Sequence, residues 1–70
     1  PQDPNYIDAN YYYAFIAFND KKYDEAIVSF QIAEQSKDYQ NVIPFYLTEI
    51  YYFKGDRNKA LEYGEAALNK

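Results

Sequence analysis

The chain has no cysteine and no histidine among its 70 residues. No disulfide can staple it, no Cys/His set can hold zinc, and no Ser–His or Cys–His pair can activate a nucleophile. The hydroxyls of Ser29, Ser36 and Thr48 have no evident base. Its two glycines, Gly55 and Gly64, stand alone, so there is no glycine-rich phosphate loop. Basic residues number 7 against 11 acidic ones, a net charge of −4. That balance excludes the clustered Lys/Arg footprint that nucleic-acid phosphates require. Asp20, Asp24 and Glu25 cluster in sequence, but carboxylates at a helix start need no catalytic explanation. No acidic set has calcium-loop spacing. The expectation is therefore a non-enzyme with no cofactor and no metal. The longest apolar run, residues 11–18, is too short to span a bilayer, so no membrane insertion is expected.

Leucine and valine are scarce, while ten tyrosines and five phenylalanines are present. A core of such rings buries much area per side chain, with each phenol needing a partner or a route to water. At 70 residues the chain forms one domain at most, near the size where a single core barely offsets chain entropy. It begins with Pro1 rather than Met, which reads as an excised piece of a longer protein.

Spacing then organises the chain. Ala26 and Ala33 recur as Ala60 and Ala67, 34 positions later. The same offset pairs Tyr12 with Tyr46, Ile16 with Ile50, Tyr11 with Phe45, Phe18 with Tyr52 and Ile27 with Leu61. A repeat of this length is one helix–turn–helix unit. Ala26, Phe30 and Ala33 follow the i, i+4, i+7 rule of an amphipathic helix, and Ala60, Gly64 and Ala67 repeat it, with Asn69 on the polar side. The segments before them are apolar on nearly every face, as expected of helices covered on several sides. The spacing predicts helices near 7–19, 23–36, 42–54 and 57–69, with Asp3-Pro4 able to start the first one earlier.

Boundary residues fit that plan. Gly55 can take positive φ to close a helix, and Asp56 can cap the next. Pro44 suits a first helical turn and Asn41 can cap it. Asn19 and Asp20 tolerate the left-handed conformation that would end the first helix. Ser36-Lys37-Asp38 supplies a polar linker.

Tyr23-Asp24-Glu25-Ala26-Ile27 with Phe30 and Ala33 resembles the second helix of a tetratricopeptide repeat. The second copy is similar through Tyr51-Tyr52, Lys54-Gly55-Asp56, Ala60-Leu61 and Ala67-Leu68. The resemblance implies an all-α superhelix of two hairpins: an N-terminal extension over 1–6, one repeat over 7–40 and a second over 41–70. It places Ala14, Ala26, Ala33, Ala60 and Ala67 at close helix crossings. Departures are Asn10 and Pro44 where a large apolar residue is usual, Tyr13 for leucine, Ala17 for tyrosine, Lys21 at the turn glycine and Gly64 for an aromatic. The Tyr-Tyr-x-x-Gly-Asp flavour is also similar to repeats of bacterial cell-envelope assembly and lipoprotein-like proteins.

The resemblance implies a protein or peptide partner held in a groove lined by the first helix of each hairpin. That groove would draw on Asp8, Tyr11, Tyr12, Phe15, Phe18 and Asn19, then on Val42, Phe45, Tyr46, Glu49, Tyr52 and Phe53. Such aromatic lining suits an amphipathic helix or an extended apolar peptide. Asp8 and Glu49 would repel a C-terminal carboxylate. The competing reading makes these rings the permanently covered core of spacer repeats. Two repeats fall below the usual minimum of about three. The isolated chain is therefore expected to associate as a symmetric homodimer burying Phe15, Tyr46, Tyr52 and Phe53.

Overall fold

The computed structural model describes residues 4–68. Four helices account for most of them: α1 (Pro4–Asn19), α2 (Tyr23–Ala33), α3 (Ile43–Lys54) and α4 (Arg57–Leu68). The fold is all-α. Helices α1 and α2 form one hairpin, α3 and α4 a second, and the two pack together mainly through α2 and α3.

The 34-residue register is visible in the backbone. Helices α2 and α4 begin at Tyr23 and Arg57, one offset apart. Each follows the same turn. In the second hairpin Gly55 is left-handed at φ 86°, with the Gly55 N–H bonded to Tyr52 O at 3.1 Å and the Asp56 N–H to Tyr51 O at 2.9 Å. This double bond pattern is the Schellman stop. In the first hairpin Lys21 takes the same conformation at φ 62°, with its N–H on Phe18 O at 3.0 Å and the Lys22 N–H on Ala17 O at 2.8 Å. The left-handed residue is thus Lys21, not Asn19 or Asp20. The helix runs on until the Schellman pattern closes, and that pattern admits one residue only.

Other boundaries shift for local reasons. Helix α1 starts at Pro4, so residues 4–6 belong to the first hairpin rather than to an extension. Proline is favoured there because its missing N–H has no intrahelical partner to lose. Asp3 lies outside the described residues, as does Asn69 at the far end. Helix α2 stops at Ala33, three residues early, because Ser36 organises a run of turns. Its Oγ accepts the Asp38 N–H at 3.1 Å, and its carbonyl accepts the N–H groups of Tyr39 and Gln40 at 3.1 and 3.0 Å. Asn41 does not cap α3. The carbonyl of Tyr39 takes the Val42 and Ile43 N–H groups instead, at 3.0 and 3.1 Å, and Pro44 stands in the first turn. Asp56 does cap α4, its Oδ1 accepting the Lys59 N–H at 3.1 Å.

The core is uneven. Ile7, Ala14, Ala17, Ala26, Ile27, Phe30 and Ala33 from the first hairpin meet Ile43, Leu47 and Ile50 from α3. The four alanines let α1 and α2 approach closely, since a larger Cβ substituent would hold the axes apart. Helix α4 adds a single buried residue, Ala67. Where Phe30 fills the first hairpin, α4 has Gly64. A Cβ at Gly64 would meet Thr48 Cγ2 at 3.6 Å, an ordinary contact, so α3 and α4 also run close.

Candidate functional site

Rings on α1, α2 and α3 form the seam between the hairpins. Phe15 stands edge-on to Phe30 and Tyr46, with centroids at 5.2 and 4.8 Å, and Phe30 stacks on Tyr46 at 5.3 Å. Tyr11 meets Phe15 at 5.0 Å and stacks on Tyr39 at 3.9 Å. Further along, Phe53 contacts Phe18 at 6.1 Å and Tyr23 at 6.4 Å. Edge-to-face and offset contacts of this kind add to simple area burial. A separate stacked pair, Tyr51–Tyr63, joins α3 to α4 at 5.4 Å.

This geometry divides the positions expected to line a partner groove. Tyr11, Phe15, Phe18 and Tyr46 are half-buried and packed on the core, so they hold the hairpins together. Tyr12, Phe45, Tyr52 and Phe53 are exposed, Tyr12 by 62% and Tyr52 by 70%, and Glu49 of α3 is exposed as well. Tyr12 touches Tyr11 at 5.7 Å and Tyr52 touches Phe53 at 5.6 Å, so the exposed rings extend the seam to the surface. Phe15 and Tyr46, half of the set assigned to a symmetric dimer, are engaged with each other inside the chain.

Three polar links brace the hairpins, and none was read from the sequence. Tyr39 Oη donates to Asp8 Oδ1 at 2.5 Å. That bond, then burial, pushes the Tyr39 phenol up to about 12. Tyr13 Oη donates to Glu25 Oε1, joining α1 to α2, and this bond raises the Tyr13 pKa. Lys54 Nζ pairs with Asp24 Oδ1, tying the end of α3 to the start of α2; the hydrogen bond to Asp24 raises the lysine pKa. Tyr11 rises to about 12, chiefly through burial and then through its hydrogen bond with Tyr46. The sequence carried no signal for Tyr39, because its segment lies between α2 and α3 and has no helical periodicity.

Two shallow depressions flank α2. One of about 320 Å³ is lined by Lys21, Lys22, Tyr23, Asp24, Glu25 and Lys54. The other, of about 380 Å³, lies against Tyr13, Asp24, Glu25, Val28 and Ser29. Among the described residues no three acidic side chains converge as a metal site, and no helix is long and apolar enough to cross a membrane. The exposed apolar set is wider than expected. Ile16, Val28, Leu61 and Leu68 join it, although Ile16 and Leu61 both belong to the 34-residue pairs. The chain matches no protein-family model, no curated protein and no solved structure.

Proposed function

We propose that the chain is a protein-binding module of the tetratricopeptide type, taking an apolar helix or extended apolar peptide on the exposed rings of α1 and α3. One observation carries this reading. Tyr12, Phe45, Tyr52 and Phe53 stay exposed on the two first-of-hairpin helices while the rings beside them lock the scaffold. Large exposed apolar side chains, such as the adjoining Tyr52 and Phe53, are the usual mark of an interaction surface. Aromatic anchors bring much contact area at low entropic cost. The net charge of −4 and the open Glu49 disfavour anionic partners, nucleic acid and C-terminal carboxylates included.

The test is selection of peptides from a displayed library on the 70-residue chain. Enriched apolar sequences should bind saturably, and Phe45→Ala with Tyr52→Ala should abolish binding while the helical circular-dichroism signal persists. No enrichment, or binders indifferent to that double substitution, would remove the proposal. A spacer role is the second reading. It is favoured by Leu61 and Leu68 of α4, whose exposure lies away from the α1–α3 rings.

A further inference from the structure

The chain carries two different exposed faces that match the two sides of its own internal interface, and we propose that a second copy docks there head to tail. The register supplies the argument. Helix α3 buries Ile43, Leu47 and Ile50, and sets Tyr46 against Phe15 and Phe30 of the first hairpin. One offset earlier, α1 presents Ala9, Tyr12, Tyr13 and Ile16, all exposed. Ile50 is wholly buried, whereas its counterpart Ile16 is 58% exposed. This is the head face.

The tail face arises in the same way. The first hairpin receives α3 on Tyr11, Phe15, Phe18 and Phe30, and Ile27 is buried in the same core. One offset later stand Phe45, Glu49, Tyr52, Leu61 and Gly64. Ile27 is 8% exposed, and Leu61, its counterpart, is 65% exposed. The same α-hairpin surface is thus covered once inside the chain and left open once.

Head and tail complement each other in shape and charge. Tyr46 rests on the rings of Phe15 and Phe30. Translated by one hairpin, Tyr12 of the second copy comes over Glu49 and Gly64, where the missing Phe30-type ring leaves room for it. Its hydroxyl then falls beside Phe45, one offset on from the Tyr11 that Tyr46 bonds, at the exposed edge of the contact. The Lys54–Asp24 pair is matched with reversed polarity. Asp20 of the second copy falls beside residue 58, flanked by Arg57 and Lys59.

Because head and tail differ, the contact is heterologous and does not close on itself. Association therefore continues past the dimer. Sedimentation equilibrium over a rising concentration series should show mass growing beyond twice 8.3 kDa. Ile16→Glu blocks only the head and Leu61→Glu only the tail. Each variant alone should stay near monomer mass, with contact weakened at least tenfold, about 1.4 kcal/mol. Mixed one to one, they should form a heterodimer through the one intact head and one intact tail. Both positions are exposed, and helical circular dichroism at low concentration checks that the fold persists. A monomer throughout the series overturns the proposal. A mass that stops at the dimer, or a mixture that fails to pair, overturns it as well. Peptide binding through Phe45 and Tyr52 is read separately on the monomeric Ile16→Glu variant, so loss of one result does not imply loss of the other.

Discussion

Lys21 and Gly55 occupy one structural position in two hairpins, which makes the left-handed turn a controlled experiment. Both residues have positive φ, 62° and 86°, and both close a Schellman stop with two backbone bonds. A side chain in this region costs about 1–2 kcal/mol through the clash of Cβ with the following carbonyl. Glycine escapes that clash, but its freer unfolded chain takes back about 0.4–1 kcal/mol. Lys21 is exposed, so removing its side chain uncovers no core residue. Lys21→Gly should therefore stabilise the fold by about 0.5–1 kcal/mol, a Tm rise of roughly 2–8 °C for a domain of this size. Gly55→Lys should lose a similar amount. No atom lies within 4 Å of a Cβ built there, so the penalty is purely one of backbone. The double variant should return close to the parent. Thermal and urea unfolding followed by circular dichroism would measure all four proteins at one low concentration, since association shifts apparent stability. A Lys21→Gly chain that melts at or below the parent temperature would refute the reasoning, as would a double variant far from additivity.

Gly64→Ala should stabilise by about 0.5–1 kcal/mol, because a helical glycine is replaced and the new Cβ meets Thr48 at ordinary contact distance; urea midpoints would report it. Raised phenol pKa values predict alkaline unfolding. Tyr11 and Tyr39 stand near 12 in the fold against about 10 in the unfolded chain. Their contribution is complete below pH 10 and disappears as pH rises toward 12, because the unfolded state releases the protons first. Tyr11→Phe and Tyr39→Phe should each flatten the loss of stability over that interval. Hydrogen exchange should find the amides of α4 opening before those of α1–α3, since Ala67 is its single buried residue.

How far the chain could be read without coordinates varies by element. The pattern of Ala26, Phe30 and Ala33 exposed α2 as a helix face, and the 34-residue offset carried that reading to α4. Gly55 and Asp56 announced their stop and cap, because each residue type has a conformational reason to be there. Lys21 announced nothing, since a lysine in a left-handed turn is disfavoured and only its place in the repeat pointed to it. Among the ring residues, sequence marked the helices but not the partition. Tyr11 and Tyr12 are adjacent and alike, yet one is stacked on Tyr39 and the other stands open.

Helical periodicity, small residues at the crossings and turn chemistry are local properties, written within a few positions of the chain, and they determined the four helices and their pairing. The assignment of each ring to core or surface depended on a neighbour tens of residues away. So did the Tyr39–Asp8 and Lys54–Asp24 links, while Tyr13–Glu25 depended on how α1 and α2 face each other. Packing of helix on helix decided them, and for the rings the packing of one hairpin on the other, because one hairpin buries the face that the other, one offset on, leaves to solvent.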